Sequence, residues 1–513
     1  MKNKIYILYF LTLFAAFQSC DSALEELPET YYNEDQIFSS VDGVETAING
    51  LYQSYADPAY HGSSWHGLIA PHSGKFWSNQ GASSDATSLN CSPINTWLTR
   101  LWPQMYQTVN VANVIINNLE NSDADLSNKE SALGQAYFMR GVVYFDLVRL
   151  FGGVPIKTKP ATAETLHTPR ASKEEVYSLI ISDLEKAKTM MPELGANVPG
   201  RPANLAAYVY LAKVYVQLAG EDGGDPSYWQ KAYDEIMPVY GKYSLTPTYA
   251  ELFEQGNENT VESIFEIQYA QNGATRNSDV IRMYTPQNSA YIATDQRTFG
   301  RIRPNKETFD QHVAQYPGDP RIDATFIYDF YLLRDGSEQK TYPAKDRGND
   351  GYAYIRKYLD YNYNGTTTSR NFIVLRYADV LLTLAEIENE LNGPANAYPY
   401  VNEVLARARH TASGDATAPA DWSGMTQDEF RMRIMRERQY ELLAEGHEWF
   451  DVRRRGYEYF LQEVVEPHNA NPTFDTRKDY MYPVSVKNML LPIPSTEISG
   501  NQAITQADQN PGY

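Results

Sequence analysis

Cysteine, positive charge and long apolar runs are all scarce in this chain. Its 513 residues include only two cysteines, which excludes a fold held together by a disulfide framework. Lysine and arginine number 44 against 64 aspartates and glutamates, for a formal charge of -20. Nucleic acids and anionic membrane surfaces attract clustered positive charge, so neither is expected as a partner. After Phe17, no stretch approaches the ~20 apolar residues of a membrane-spanning helix.

The N-terminus begins with two lysines and then becomes apolar. The apolar run Ile5–Phe17 is too short to cross a bilayer, and the composition turns acidic directly after Cys20. This arrangement resembles a bacterial lipoprotein signal, in which a peptidase removes residues 1–19 and the thiol of Cys20 receives lipid. The resemblance implies a mature chain tethered to a membrane, in which Cys91 has no disulfide partner. Ordinary secretion with cleavage at another position is the alternative.

Aromatic residues are abundant, with 40 Tyr, 19 Phe and 7 Trp. Tyrosine and tryptophan combine a large apolar ring with a polar group, which suits contact with sugars or with partner proteins. Much of this aromatic mass must also form the core. Composition alone therefore permits a binding function without locating it.

Apolar residues recur at the 3.6-residue helical period over most of the chain. Ser172 with Glu175, and Thr426 with Glu429, have the spacing of capping boxes, which predicts a helix start at each. The predicted helices are 101–119, 130–151, 172–192, 202–218, 229–240, 375–391, 399–410 and 426–445. Short connections between neighbours predict antiparallel pairs similar to tetratricopeptide hairpins. The predicted fold class is mainly α.

Long helical stripes are missing from about 246–371, which is rich in Tyr, Asn, Gly, Asp and Pro. One strand is predicted there, at Ser263–Tyr269. We therefore predict a helical frame over about 36–245 and 372–513. A loop-rich binding region over about 246–371, together with a loop at 57–98, is predicted to lie on that frame, because binding residues are common on loops that a rigid scaffold positions.

Four segments, in order along the chain, resemble the SusD/RagB family of nutrient-binding outer-membrane lipoproteins. They are Gln135–Ile156, Val374–Leu382, Arg436–Arg454 and the C-terminal stretch containing Leu491–Pro494 and Gln509–Tyr513. The likeness covers essentially the whole of residues 20–513, which it implies form one domain. It implies tetratricopeptide-like helix pairs and a loop-rich ligand face.

The same resemblance implies a function. It implies a non-catalytic protein without a cofactor, anchored in the outer membrane and exposed on the cell surface. Such a protein captures oligosaccharides and delivers them to a SusC-like TonB-dependent porin. Peptide capture of the RagB type is one alternative, and a surface glycoside hydrolase is another.

A run of acidic residues bears on the enzyme alternative. Glu437, Glu441 and Glu445 share one helix face and lie near Asp451 in the sequence, and two carboxylates flanking a sugar bond are what a glycosidase needs. Six arginines occupy the same stretch, however, and a carboxylate paired with guanidinium stays ionised and donates protons poorly. We predict a structural ion-pair network here. Arg140, Asp146 and Arg149 are predicted to have the same structural role.

Metal sites are not predicted, although two patterns resemble them. His61, His66 and His72 have spacings that do not place them on one helix face. Asp360, Asn362 and Asn364 resemble the start of a calcium loop, but the twelfth position is not glutamate, and a turn is favoured. A weak calcium candidate remains there.

The resemblance implies ligand contacts in the loops after the first helix and in the central loop region, which here are Tyr60–Thr96 and Gly273–Tyr363, and chemistry selects candidates within them. Proteins hold sugars with flat rings and with planar amide, carboxylate or guanidinium groups. For each aromatic, packing under a loop is the alternative, and Trp102, Tyr106 and Trp449 are assigned to the core. The candidates are Trp65, Phe76, Trp77, Asn79, Tyr284, Asn288, Tyr291 and Arg297.

Overall fold

The structure is a computed structural model that describes residues 34–271, 278–293, 297–470 and 481–513. Helices dominate these ranges. The first nine are α1 (Glu34–Ile37), α2 (Val41–Tyr55), α3 (Ser64–His72), α4 (Ser84–Thr87), α5 (Thr96–Glu120), α6 (Lys129–Phe151), α7 (Lys173–Met190), α8 (Leu205–Gly220) and α9 (Ser227–Ile236). The next three, α10 (Val280–Tyr284), α11 (Lys306–Gln315) and α12 (Pro320–Thr325), are short. The last seven are α13 (Tyr377–Asn392), α14 (Pro394–Arg409), α15 (Gln427–Leu442), α16 (Glu448–Asp451), α17 (Gly456–Phe460), α18 (Glu466–Ala470) and α19 (Ser495–Gly500).

Consecutive long helices pack against each other as pairs. Helix α6 packs on α7, α8 on α9, and α13 on α14. Contacts of α7 with α8, and of α9 with α13, place the pairs side by side. One large apolar cluster, to which all six helices contribute, fills the interior. The predicted mainly helical fold with tetratricopeptide-like pairs is confirmed.

Both predicted capping boxes are present. The Ser172 side chain accepts a hydrogen bond from the backbone N–H of Glu175, whose carboxylate accepts one in return from the backbone N–H of Ser172. Thr426 and Glu429 repeat this exchange at the start of α15. Each box satisfies backbone donors that a helix N-terminus leaves unpaired, which is why the helices begin at these residues.

Several helix boundaries differ from the prediction, among them the starts of α8 and α14. Helix α8 begins at Leu205 rather than at Pro202, and α14 begins at Pro394 rather than near Pro399. Gly393 takes a left-handed φ of +84° between α13 and α14, so the chain reverses there and Pro394 enters the next helix at once. Proline suits a first turn, where its missing N–H costs no hydrogen bond.

Ten short strands form five antiparallel two-stranded ribbons in the described ranges. They are β1 (Phe76–Ser78), β2 (Ser263–Ile267), β3 (Ile302–Pro304), β4 (Phe326–Ile327), β5 (Phe330–Leu332), β6 (Glu338–Lys340), β7 (Tyr354–Ile355), β8 (Phe372–Arg376), β9 (His410–Thr411) and β10 (Gly414–Asp415). The predicted strand is confirmed as β2, which pairs with β8 so that Ile267 lies opposite Phe372. The chain between these two residues therefore leaves the helical frame and returns to the same place. Among the described helices, none is both long and apolar enough to cross a membrane.

The segment 57–98, predicted as a loop, contains helix α3. All nine residues of α3 are buried, so the helix has no polar face and shows no amphipathic stripe in the sequence. It packs against α5 and against the ribbon of β1 and β3. The loop prediction is wrong for these residues, because a helix covered on all sides carries no periodic signal.

Close packing of α6 against the end of α7 depends on Gly134. A Cβ atom there would lie 2.6 Å from the backbone nitrogen of Met191 and 2.7 Å from the carbonyl carbon of Met190. We expect Gly134→Ala to lower the free energy of unfolding by about 1–3 kcal/mol, because the clash outweighs the helix propensity that alanine adds. Urea unfolding of the purified protein measures this change.

Gly50 provides the matched control, since it also lies inside a helix but a Cβ atom added there would have no other atom within 4 Å. Gly50→Ala should leave the free energy of unfolding unchanged or raise it by up to about 1 kcal/mol. Equal effects of the two substitutions would show that α6 and α7 are not in close contact at Gly134.

Candidate functional site

Glu437 and Glu441 of α15, and Glu445 in the turn after it, lie inside the protein, and each is paired with a cation. The Glu441 carboxylate accepts hydrogen bonds from Arg376 at 2.7 Å, from Arg321 at 3.0 Å and from Arg407. Glu437 pairs with Arg321 at 2.7 Å. These guanidinium groups hold the pKa of Glu441 well below its usual range, although burial opposes them.

Glu445 completes this network. Its carboxylate accepts hydrogen bonds from Arg376 and from Lys357, each at 2.7 Å, and its side chain is 1% exposed. The predicted structural network is confirmed. Its cations are Arg321, Lys357, Arg376 and Arg407. They are not, however, the arginines that neighbour the glutamates in the sequence. Arg438, for example, pairs with Asp379 and Asp451.

The other predicted structural charges are also paired within the frame. Arg140 of α6 donates two hydrogen bonds to Asp183 of α7, at 2.7 and 2.8 Å. Arg149 pairs with Asp146 at 2.7 Å, and Asp146 also accepts a hydrogen bond from the hydroxyl of Tyr60. These charges join helices to each other and to the segment after α2.

The three histidines of the 57–98 segment pack as rings. His61 stacks on Trp65 with 4.6 Å between ring centroids, and the Trp449 indole N–H donates to His72 at 3.1 Å. Burial lowers the pKa of His66 to about 3, so its ring is neutral. Within the described ranges, no group of three or more His, Cys, Asp or Glu side chains is placed to hold a metal ion.

The weak calcium candidate is a self-supporting turn. The buried Asp360 carboxylate accepts hydrogen bonds from Gln255, from Thr368 and from the backbone N–H of Asn362. The side-chain oxygen of Asn364 accepts from the two residues that follow Gly365. Protein donors therefore hold the oxygens on which a calcium site would draw, and this favours the turn.

Four of the eight candidate ligand contacts lie in the interior. Trp65, Phe76, Trp77 and Tyr284 are between 0% and 5% exposed. Trp77 stacks on Tyr352 at 4.5 Å with an interplanar angle of 7°, and the Tyr284 hydroxyl lies 3.3 Å from His66. In this conformation the four rings cannot touch a ligand on the surface, and Trp65, Phe76 and Tyr284 belong to the one large apolar cluster that fills the interior. These four assignments are therefore corrected to packing.

The other four candidates reach the surface. Asn79, Asn288 and Arg297 are exposed, and Tyr291 is half-buried beneath the guanidinium of Arg356, 5.4 Å from the ring centroid. Asn288 has a left-handed φ of +56°, which asparagine tolerates better than most residues. These four positions stay a prediction as ligand contacts.

The ribbon of β1 and β3 brings one of these candidates beside an arginine. Trp77 lies opposite Arg303 in the ribbon, and the backbone N–H of Asn79 donates to the carbonyl of Arg301 at 3.2 Å. Residues directly opposite on paired strands project to the same face. Trp77 and Arg303 therefore lie side by side on one buried face of the ribbon, and Asn79 and Arg301 lie just beyond its end.

Two arginines close to one ring are the feature that the sequence predictions missed. The guanidinium carbons of Arg282 and Arg301 lie 4.6 and 4.3 Å from the ring centroid of Phe299. The carbonyl of Arg282 also accepts a hydrogen bond from the backbone N–H of Phe299 at 2.8 Å, which fixes α10 against this segment. We call Asn79, Arg282, Phe299 and Arg301 the arginine patch. The sequence did carry a signal for it, since Arg297–Arg303 holds three arginines at closely spaced positions in an acidic chain.

One further exposed ring lies in the same region. Tyr361 is 58% exposed, and its carbonyl accepts a hydrogen bond from the backbone N–H of Ala293 at 3.0 Å. It lies within the predicted ligand region but was not among the candidates. An exposed tyrosine on a turn held by its own hydrogen bonds is suited to stacking on a sugar face.

A large cleft lies elsewhere, among the frame helices. It has a volume of about 320 Å³ and is lined by residues of α6, α7 and α8 together with Trp449, Phe450 and Tyr457. None of the eight candidates and none of the arginine patch lines it. The eight candidates and the arginine patch therefore belong to the loop region and are separate from this cleft.

Family profiles match almost the whole chain in two parts. A profile described as "SusD family" matches residues 219–513, and one described as "Starch-binding associating with outer membrane" matches residues 23–216. A SusD-like protein of Formosa agariphila, P2, is 28% identical over 99% of this chain and 100% of its own length.

Solved structures share the fold over the same extent. A SusD homolog from Bacteroides thetaiotaomicron superposes with a TM-score of 0.77 at 20% identity, covering 94% of this chain and 99% of that one. A protein described as a laminarin binding SusD-like protein has a TM-score of 0.70 at 21% identity, covering 93% of this chain and 100% of that one.

Proposed function

Because this chain belongs to the SusD family, we propose that it is a non-catalytic glycan-binding lipoprotein of the outer membrane, exposed on the cell surface. In this proposal it captures oligosaccharides and delivers them to a SusC-like TonB-dependent porin. One observation carries the proposal: 93% of this chain shares its fold with a protein described as a laminarin binding SusD-like protein.

The chemistry of the loop surface supports sugar binding. Asn79 and Asn288 offer planar amides, Arg282 and Arg297 offer guanidinium groups, and Tyr361 offers an exposed ring. Sugars present hydroxyl rims and apolar C–H faces, which these groups match. An open surface also suits a ligand that must pass to another protein.

The state of the carboxylates supports a non-catalytic role. A retaining or inverting glycosidase needs one carboxylic acid that donates a proton and one carboxylate, about 5–10 Å apart and facing the bond to be cut. Glu437, Glu441 and Glu445 instead face buried cations, and the pKa of Glu441 and that of Glu445 are lowered by those cations.

Two assays test the proposal, one for binding of polysaccharides and one for their cleavage. The purified protein is run through native gels that contain polysaccharides, and the same polysaccharides are then assayed for new reducing ends. Retardation without new reducing ends is expected. Product formation would overturn the non-catalytic assignment, and capture of peptides with no glycan retained would favour the RagB-type alternative.

Attachment to the membrane is proposed to depend on Cys20, which lies outside the described residues. Two or more acyl chains anchor a protein stably, whereas a protein without them has no comparable hold on the bilayer. We expect Cys20→Ala to move nearly all of the protein from the membrane fraction to the soluble fraction. Glycan retardation by the purified variant should equal that of the wild type.

Cys91→Ala is the matched control, because that buried thiol lies in the folded body. It should leave the protein in the membrane fraction. Membrane attachment of Cys20→Ala at wild-type levels would contradict the proposed anchor. Loss of glycan binding by the purified Cys20→Ala variant would contradict the separation of anchor from binding surface.

A further inference from the structure

The arginine patch points to a ligand of a particular charge. We propose that Arg282 and Arg301 bind an anionic group of the glycan, either the carboxylate of a uronic acid or a sulfate ester. This inference rests on the proposed glycan-binding function and goes further by naming the chemical class of the sugar.

The first argument is geometric. The two guanidinium groups lie on the ring of Phe299, at 4.6 and 4.3 Å from its centroid, and backbone hydrogen bonds fix the segments that carry them. Stacking on an aromatic ring restricts a guanidinium without using its N–H donors. Those donors remain available to oxygens of a carboxylate or sulfate, for which paired N–H groups are the strongest match.

The second argument is the shortage of negative charge around these cations. Asp279 is the one carboxylate that pairs with Arg282 among the described residues, at 3.6 Å with both side chains partly exposed. The other oxygen of Asp279 already accepts a hydrogen bond from Ser63. Arg301 has no ion pair with any described residue and is half-buried. Two close cations thus share at most one carboxylate.

Electrostatic strain follows from this shortage. Burial and the nearby Arg282 lower the pKa of Arg301 and outweigh the opposing effect of Asp279, which means that its charged form is disfavoured relative to water. An anion bound at these guanidinium groups relieves that cost. A neutral sugar hydroxyl relieves much less of it, because hydrogen bonds between ionised partners are about twice as strong as those between neutral groups.

The third argument is the local reversal of charge. The whole chain has a formal charge of -20, yet residues 278–305 contain four arginines and two aspartates. Arg303 belongs to the ribbon of β1 and β3 and is 3% exposed. Its guanidinium lies close to the rings of Trp77 and Tyr354, and its Nη1 has no hydrogen-bond partner among the described residues. On an acidic protein, a positive patch steers an anionic ligand to one place.

Paired probes test this inference. Affinity is measured by calorimetry for polygalacturonate and its carboxyl-reduced form, for a sulfated galactan and its desulfated form, and for neutral laminarin. We expect at least one charged polymer to bind about tenfold or more tightly than its neutral counterpart, with an affinity that falls as salt rises. The polygalacturonate and galactan arms distinguish carboxylate from sulfate.

Variants locate the effect. Arg282→Gln with Arg301→Gln should remove the preference for the charged polymer, whereas Arg301→Lys should keep part of it because the charge remains. Lys231→Gln is the matched control, since it removes an exposed cation that lies 4.9 Å from the ring of Tyr228 on the helical frame. It should leave every affinity unchanged. Thermal unfolding of each variant checks that the fold is retained.

The outcomes separate the two proposals. Equal binding of charged and neutral polymers, or an unchanged preference in the double variant, overturns the anionic-ligand inference and leaves glycan binding in place. Failure to bind any of the five polymers, or any other glycan in the native-gel assay, overturns the proposed function itself.

Discussion

Replacing Arg376 with methionine should lower the free energy of unfolding by about 3–5 kcal/mol. Arg376 is almost fully buried and donates hydrogen bonds to Glu262, Glu441 and Glu445 at distances of 2.7–3.0 Å. Methionine fills part of the volume but leaves those carboxylates with one cation fewer in a medium of low polarity. The penalty arises from the unpaired carboxylates rather than from the loss of a favourable contact.

Equilibrium unfolding in urea at pH 7 measures the change. Lys173→Met is the matched control, because Lys173 pairs with Glu221 at 2.9 Å where both side chains are partly exposed. That substitution should cost less than about 1 kcal/mol, since surface ion pairs contribute little. Similar costs for the two variants would mean that water reaches the network around Arg376.

Glu448→Gln should have a more stabilising effect at pH 8 than at pH 4.5. The change that it causes in the free energy of unfolding should differ between these two pH values by roughly 3 kcal/mol. Burial raises the pKa of Glu448 to about 7, while the ordinary value for glutamate is 4.5. Between these two values the folded protein keeps the proton and the unfolded chain loses it. The unfolded state then binds fewer protons, so the free energy of unfolding falls as the pH rises through this window.

Glutamine removes this titration and keeps an oxygen that can accept the hydrogen bond that the backbone N–H of Ala444 donates to Glu448. Melting temperatures of the wild type and of the variant at pH 4.5, 6 and 8 should therefore diverge as the pH rises. A difference between the two proteins that does not change with pH would contradict a raised pKa for Glu448. Comparison with the wild type cancels the titration of all other groups.

Much of the frame was predictable, because its signals are local. The capping boxes at Ser172 and Thr426 each lie within about one helical turn, and the apolar residues of α5 recur from one turn to the next. Helix α3 was missed because it is buried on every side, so neither an amphipathic period nor a side-chain cap marks it.

Partners that are distant in sequence could not be predicted. The spacing of Glu437, Glu441 and Glu445 indicated one shared face, and their ionised state followed from the arginines nearby. Their hydrogen-bond partners are distant in sequence. Arg407 is 34 residues from Glu441, and Tyr316 is 121 residues from Glu437. Helix periodicity says which side chains share a face, but only tertiary packing decides what that face meets.

The candidate site shows the same limit more clearly. Ring chemistry selected Trp65 and Trp77, yet these large apolar side chains gain more by packing than by exposure. The planar polar candidates Asn79 and Arg297 stayed at the surface. Residue type in the sequence therefore does not show whether a ring in such a loop is exposed or buried.

The pairing of β2 with β8 has a consequence for how such a protein can diversify. Ile267 and Phe372 lie opposite each other, so the intervening chain is an insertion whose two ends meet at one ribbon. Its length can change at a small entropic cost, because its two ends stay together. An exchange between relatives would have to keep its contacts with the rest of the fold, which include the pairing of β3 with β1 and the packing of Tyr284 and Phe309 in the main apolar cluster. Two of these contacts are ion pairs. Arg321 and Lys357 belong to the insertion and neutralise Glu437 and Glu445 of the frame. A transplanted insertion must therefore bring two cations to the same places, or the recipient frame will be left with unpaired buried carboxylates.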